Sequence, residues 1–380
     1  MGQAMELPSK TKDTPGALAV DPHVLIRSCL RQRRAGDAVE PGALGDGAID
    51  WLATIKRAND GLVGPALWTA FSELGLLGEL PADVRDYLQL LHEHNHRCNL
   101  QIREQCVALG NALAGAGVEA VLLKGATWLF EAGPAHDDRM LRDIDLLIDP
   151  LRNDSIRIAM RAIGYRAAPH IAAEPGHIHG APLIQPGSLV SVEAHREITT
   201  RVKLLPGKEV LAASTPIAAG LRLPSPTHRI LHNVLHAEIV NGDHLGGAVS
   251  LRDSLDLARL VAAHHSVVDW MAMAETARQR GYFRQLSGAL HKAARFAGGP
   301  LPSPFSEDRG GHRHALRCAL QRRLPPLDAG LRSLGVLARA LAWERDAYTL
   351  GLGDDRSLLA HLEVNQRRLQ RIGEAIRRGR

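Results

Sequence analysis

Two apolar runs of the chain each adjoin residues of types that bind phosphate or metal ions. Residues 118–123 are short, apolar and partly β-branched, which predicts a buried strand that ends at Lys124-Gly125. The second run, residues 146–148, is opened by Asp143-Ile144-Asp145. This order predicts that a glycine turn and a pair of carboxylates lie at one edge of a sheet.

The acidic pair is placed by the geometry of a strand. Side chains alternate between faces with a period of two, so Asp143 and Asp145 project together and Ile144 points into the opposite layer. We therefore expect the two aspartates to form the solvent-side mouth of an apolar strand. Neighbouring carboxylates repel unless a cation lies between them, and oxygen ligands suit Mg²⁺, with Mn²⁺ as the substitute ion.

The glycine turn predicts a phosphate site. A strand that leads into a helix through Gly125 leaves backbone N–H groups unpaired, and Lys124 adds a cation beside them. The hydroxyl of Thr127 lies in the same first helical turn and is a further candidate phosphate contact. A phosphate turn next to two carboxylates indicates metal-assisted phosphoryl or nucleotidyl transfer.

A third carboxylate lies on a later strand. Within residues 188–197, Ser191, Glu193 and His195 alternate with apolar residues, as in a half-buried strand, and Pro186-Gly187 predicts a hairpin with residues 181–185. Glu193 either joins the aspartates or faces water and pairs with Arg196. His195 shares its face, either to contact substrate phosphate or as a structural histidine.

These motifs resemble a bacterial family of uncharacterised nucleotidyltransferases in the DNA polymerase β-like superfamily. The family pattern is a Lys-Gly turn, an arginine four residues before an Asp-Ile-Asp pair, and a strand with Glu or Asp followed two residues later by His. The matching residues are Lys124-Gly125, Arg139, Asp143-Ile144-Asp145 and Glu193-Ala194-His195. Residues 232–237 and 252–258 look like two later helices of the family.

The resemblance implies transfer of a nucleoside monophosphate from a nucleoside triphosphate, with ATP as the expected donor, to an acceptor hydroxyl, releasing pyrophosphate. Asp143, Asp145 and Glu193 would hold the metal, and Glu193 would accept the hydroxyl proton. Lys124 and Arg139 would neutralise the leaving phosphates; alternatively, Arg139 is a surface or ion-pair residue.

The acceptor stays open, with a small molecule or peptide natural product favoured. Two alternatives are a toxin-like nucleotidyltransferase that acts on RNA or protein, and a degenerate, non-catalytic binding module. The second alternative rests on Gly125-Ala126, because many members of the superfamily have Gly-Ser or Gly-Gly at this turn.

The predicted fold class is α/β (α+β), with a small mixed-sheet nucleotidyltransferase core flanked by N- and C-terminal helical segments. The expected division is a disordered lead over residues 1–16, a helical segment over 17–113, the catalytic core over 114–200, a helical segment completing the acceptor pocket over 201–300, and a C-terminal helical segment over 301–380.

Composition limits the other function classes. The net charge of +5 suggests nucleic acid, but only 4% of residues are aromatic and therefore able to stack on bases, so we interpret the arginine-rich C-terminus as a solvated helix face. No apolar run is long enough to span a membrane, no secretory signal is evident, and the four cysteines are scattered, so we expect a cytoplasmic protein. His92, His94 and His96 diverge on a helix and are predicted to be solvated, whereas His177 and His179 stay ambiguous.

Overall fold

A computed structural model describes residues 20–31, 49–131, 133, 135–168, 178–340, 350, 352 and 357–377. The predicted disordered lead, His177 and the last three residues of the arginine-rich tail lie outside this set. The fold is mixed α/β: one sheet of seven strands is surrounded by helices on both its N- and C-terminal sides, which confirms the predicted fold class.

The helices before the sheet pack against one another. They are α1 (Pro22–Leu30), α2 (Trp51–Asp60), α3 (Gly64–Glu73) and the long α4 (Ala82–Gly115). The aspartates before α1 and α2 cap them, each accepting a hydrogen bond from a backbone N–H of the first turn.

The sheet mixes parallel and antiparallel strands in the order β3-β4-β5-β2-β1-β7-β6. Its strands are β1 (Ala120–Leu122), β2 (Asp143–Ile148), β3 (Arg166–Ala167), β4 (Leu183–Ile184), β5 (Ser191–His195), β6 (Thr215–Ala218) and β7 (Leu221–Leu223). Between them lie the short helices α5 (Ala135–Asp138), α6 (Asn153–Ala162) and α7 (Gly207–Ala212).

Further helices follow the sheet: α8 (Pro226–Val234), α9 (Asp243–Gly246), α10 (Leu251–His264), α11 (Trp270–Gln279), α12 (Phe283–Ala297), α13 (Arg309–Gln321), α14 (Pro325–Ala340) and α15 (Leu358–Arg377). A π-helical turn, Leu235–Val240, extends α8.

The two faces of the sheet belong to different hydrophobic cores. Leu122 of β1 and Leu146 of β2 pack in one core with residues of α4 and α6. Val121 and Leu147, on the opposite face of the same strands, pack in a second core with α8, α10 and the N-terminal helices. The acidic residues of β2 share the face of Leu147 and therefore point toward the helices that follow the sheet.

Two features of the sheet were not predicted. Strands β6 and β7 lie within residues 201–300, which were expected to be helical, and β7 pairs in parallel with β1. The expected hairpin of residues 181–185 with the Glu193 strand is present, because Leu183 of β4 pairs antiparallel with Val192 of β5.

Candidate active site

The two acidic strands lie side by side. Strands β2 and β5 pair in parallel, with Asp145 opposite Glu193 and Asp143 opposite Ser191. Ile144 is fully buried in the opposite core, as the period of two predicts. Three carboxylates from two separate parts of the sequence therefore line one face of the sheet.

The aspartate pair is less open than the sequence suggested. Asp145 is 1% exposed, and Asp143 is half-buried. Both were expected at a solvent-side mouth, but the helices that follow the sheet cover Asp145. Glu193, with a side chain that is 20% exposed, is accessible from solvent.

Lys124 follows β1, and its side chain contacts the neighbouring strand β2. Its Nζ donates to Oδ1 of Asp145 at 2.9 Å. Lys124 begins the 3₁₀ turn Lys124–Phe130 and has a φ of 46°, in the left-handed region that non-glycine residues seldom adopt. Strain of this kind is concentrated at functional sites. The backbone thus aims the ammonium of Lys124 at the carboxylates.

His195 contacts both acids. Its Nε2 lies 2.6 Å from Oδ1 of Asp145 and 3.6 Å from Oε2 of Glu193. Burial lowers the pKa of the imidazole, but the hydrogen bond to Asp145 and the nearby carboxylate of Glu193 outweigh burial, so the pKa is raised. Protonated His195 is therefore a counter-ion for both carboxylates.

The three carboxyl groups titrate in different directions. Burial raises the pKa of Asp145, but hydrogen bonds from His195 and Lys124 lower it far below its usual range. The contact with His195 lowers the pKa of Glu193. Burial, and then the charge of Asp145, raise the pKa of Asp143. Asp145 and Glu193 are therefore the two carboxylates that stay ionised most readily.

The glycine turn packs against Arg139. A Cβ on Gly125 would lie 3.0 Å from Nη1 of Arg139, so a larger residue here would displace the guanidinium. The hydroxyl of Thr127 donates to the carbonyl of Lys124 and accepts from Nη2 of Arg229 at 3.1 Å. The side chain of Thr127 is 2% exposed, so its hydroxyl is engaged inside the protein.

Two ion pairs join the segment of Asp138 and Arg139 to α10. Its Nε donates to Asp256 of α10 at 2.8 Å. In return, Arg259 of α10 donates two hydrogen bonds of 2.8 Å to Asp138, which immediately precedes Arg139. All four side chains are largely buried. These contacts fix the segment before β2 against the helix that covers the sheet.

A cavity of about 60 Å³ lies on the helix side of Lys124. Its lining is rich in cations, which include Lys124, Arg139, Arg229 and Arg252, and it also contains Asp253 and Asp256. His232 and His236 contribute imidazoles whose pKa values are lowered by burial and then by the charge of Lys124. Lys124 therefore lies between the carboxylates and a basic cavity.

A family model described as an uncharacterised nucleotidyltransferase matches residues 47–298, about two thirds of the chain. The chain belongs to this nucleotidyltransferase family. No curated protein and no solved structure matches it. The matched region runs from the residues before α2 to the residue after α12, so it includes every strand of the described residues and the whole candidate site.

At the candidate site, Arg229 was not recognised in the sequence and His179 was left ambiguous. Arg229 of α8 lies with its guanidinium 4.8 Å from the ring centre of Trp128 and pairs with Glu131. His179 lies 3.7 Å from Oε2 of Glu193. The signal for His179 was its spacing of two from His177, which left a metal-like or a solvated histidine open. Arg229 had no signal, because about a hundred residues separate it from Thr127.

A compact set of metal-ligand atoms lies at this site. Ligand atoms of Asp145, Glu193 and His195 all lie within 4.8 Å of one another. Asp143, which was predicted as a metal ligand, is not one of the three, although it lies two residues from Asp145 on the same strand. The two ionised carboxylates fit a divalent cation, and the contacts of Lys124 and His195 both go to Oδ1 of Asp145.

His96, which was predicted to be solvated, has a side chain that is 42% exposed, and its Nδ1 lies 2.8 Å from Asp137, which His136 also contacts. No helix in the described part of the chain has the length and apolarity needed to cross a bilayer.

Proposed function

We propose that this protein is a metal-dependent nucleotidyltransferase of the DNA polymerase β-like superfamily. It moves a nucleoside monophosphate from a nucleoside triphosphate, expected to be ATP, to an acceptor hydroxyl and releases pyrophosphate. The observation that carries the proposal is the pairing of Asp145 with Glu193 on adjacent parallel strands. Lys124 contacts Asp145 and also lines a basic cavity.

The carboxylates are the proposed metal site. Asp145 and Glu193 are held ionised by their contacts, and Asp143 extends the same strand toward solvent. A bound Mg²⁺ or Mn²⁺ would neutralise charge on the phosphates and align the attacking and leaving oxygens. His195 and Lys124 hold Asp145 in place by hydrogen bonds to one of its oxygens.

The cations of the cavity are the proposed phosphate contacts. Lys124 reaches both the carboxylates and the cavity, so it suits the phosphates nearest the metal. Arg139 and Arg229 are already paired with Asp256 and Glu131, and they would share their remaining N–H groups with the leaving phosphates. Thr127 contributes through Arg229 rather than by direct contact, because its hydroxyl is engaged.

Glu193 is the proposed base. It is more exposed than Asp145, and it lies on the edge of the site where an acceptor hydroxyl can approach. The acceptor is proposed to be a small molecule or a peptide natural product. His179, 3.7 Å from Glu193, is placed to contact the same acceptor.

The test combines each α-labelled nucleoside triphosphate with Mg²⁺, the full-length protein and a lysate of its own host. The variant is Asp143→Asn with Asp145→Asn, and the control is Asp154→Asn, because Asp154 is a highly exposed acid on α6. We expect label on a low-mass acceptor with wild type and the control only. Equal labelling by the double variant would reject the assigned site.

The same assay separates the alternatives. Label on RNA or protein, with growth inhibition on expression that is lost in Asp145→Ala, would identify a toxin-like enzyme instead. If no nucleoside triphosphate binds in a Mg²⁺-dependent manner, the chain is a non-catalytic binding module. Melting curves of each variant show whether a loss of label reflects chemistry or unfolding.

A further inference from the structure

A second cluster of ligand-type side chains lies outside the candidate active site. Glu238 is on the π-helical turn Leu235–Val240, His244 is on α9, and His314 is on α13. Their ligand atoms all lie within 4.8 Å of one another. The three residues come from three elements, and none of them lines the candidate active site. π-helical turns are frequent at functional sites.

Two polar atoms at the centre of this cluster are buried without a hydrogen bond. Glu238 is 5% exposed, and its Oε1 accepts from Nζ of Lys292 at 2.7 Å. Its other oxygen, Oε2, lies 3.6 Å from Nδ1 of His244, and neither atom has a hydrogen-bond partner among the described residues. Unsatisfied buried polar atoms are costly, so both atoms are available to bind a ligand that enters the cluster.

The two histidines are packed as a stack. Their ring centres lie 4.1 Å apart with an angle of 15° between the planes. Gly288 of α12 makes room for both rings, because an added Cβ would lie 2.8 Å from Cδ2 of His314 and 3.4 Å from Cε1 of His244. Surrounding helices therefore hold the rings together.

The cluster offers two imidazole nitrogens and one carboxylate oxygen, a combination of atoms that binds metals. Cys318 lies 3.5 Å from Nε2 of His314 and is not part of this close set.

We propose that Glu238, His244 and His314 bind one divalent transition-metal ion, with Zn²⁺ as the ion that fits best. Two imidazoles and one carboxylate are a common zinc ligand set, whereas Mg²⁺ prefers oxygen ligands alone. His314 lies beyond the family match at residues 47–298, so the ion ties α13 to the family's helices. The site is therefore a structural clamp on the C-terminal segment.

Lys292 sets the affinity of the clamp. Its ammonium contacts Oε1 of Glu238 and the carbonyl of Ala248, which leaves Oε2 for the metal. A positive charge this close to a divalent ion weakens binding. Lys292→Met is therefore expected to raise the affinity for Zn²⁺ by about tenfold or more, a result that a purely structural ion pair would not give.

The experiment titrates chelator-treated, full-length protein with Co²⁺ and then Zn²⁺, and follows the visible absorption of bound Co²⁺. We expect one equivalent of four-coordinate Co²⁺ that Zn²⁺ displaces, and a melting temperature that rises by several degrees with Zn²⁺. His314→Gln is expected to lose the signal. The matched control, His312→Gln, changes an exposed histidine of the same helix and is expected to keep it.

Asp145→Asn is expected to keep the signal as well, which separates this site from the candidate active site. The proposal is overturned if wild type gives no four-coordinate Co²⁺ spectrum or if His314→Gln retains it. If His314→Gln fails to fold, the affinity of Lys292→Met for Zn²⁺ is the test. An affinity equal to or lower than that of wild type also overturns the proposal.

Discussion

Asp145 and Glu238 are both buried carboxylates that contact one lysine and one histidine, yet their surroundings differ. Asp145 accepts from Lys124 at 2.9 Å and lies 2.6 Å from His195, with Glu193 on the next strand. Glu238 accepts from Lys292 at 2.7 Å, but His244 stays 3.6 Å away. An acid, a lysine and a histidine therefore occur together in both regions. The histidine is within hydrogen-bond distance of the acid at Asp145 but not at Glu238.

The difference lies in the added groups. Further carboxylates surround Asp145, so that region favours a hard cation and phosphate chemistry. A second imidazole accompanies Glu238, so that region favours a softer metal. A buried acid with a lysine and a histidine thus identifies no function by itself; the neighbouring donors decide it.

The largest effect is expected at Asp145. Asp145→Asn removes the shared anion of Lys124 and His195 and a metal-ligand oxygen, so label transfer should fall by about 10³-fold. Glu238→Gln should leave transfer per folded molecule near wild type. Measured with an α-labelled triphosphate, a fall of less than tenfold in Asp145→Asn would make the two carboxylates equivalent and break the comparison.

Stability reverses the ranking of the two regions. Glu238→Gln leaves the buried ammonium of Lys292 without its anion, and the free energy of unfolding should fall by about 3 kcal/mol. Denaturant titration with a chelator present measures this value. Recovery is expected in Glu238→Gln with Lys292→Met, which removes both charges; a double variant as unstable as the single one would show that the ion pair is not the cause.

Gly125→Ala tests the packing of the glycine turn. The new methyl group would lie 3.0 Å from Nη1 of Arg139, which Asp256 holds in place, so transfer should fall by about tenfold. Gly115→Ala, at the exposed end of α4 with open space around it, is the control. Unchanged transfer in Gly125→Ala would mean that the position of Arg139 does not matter for catalysis.

The smallest expected effect is on stability as a function of pH, which should change in opposite directions for His195 and His314. The folded pKa of His195 is raised, so its contribution to stability is complete below its unfolded value of 6.5 and is lost as pH rises through the folded pKa. The folded pKa of His314 is lowered to about 3, so stability is lost as pH falls below 6.5.

Melting temperatures measured with a chelator across this range should reflect the difference. His195→Gln should flatten the decline above pH 6.5, and His314→Gln should flatten the decline below it. The same slope in both variants would contradict the assignment of opposite shifts to the two histidines.

Local patterns predicted the strands that carry the acids. The alternation around Asp143 and Glu193 gave the correct faces, because a strand's period of two is a local property. It did not give the burial of Asp145, since the helices that cover it begin about eighty residues later in the chain. Whether these acids are catalytic stays a prediction.

Two of the contacts that were missed join distant segments. Arg229 contacts Thr127 across about a hundred residues, and β7 joins β1 across a similar distance. Neither carries a motif, because an arginine in a helix and a three-residue strand are common in any sequence. The cluster of Glu238, His244 and His314 escaped for the same reason, as its members share no spacing that a single helix could explain.

The reciprocal contacts between Asp138, Arg139, Asp256 and Arg259 determine how small an independently folding fragment can be. A fragment of residues 114–200 would contain the acidic strands, but it would lose the partners of two buried charges. It would also remove β7, and with it the hydrogen bond from the backbone N–H of Ala120 to Gly220. Truncation that aims to isolate the chemistry must therefore retain the chain through α10, and shorter pieces should aggregate.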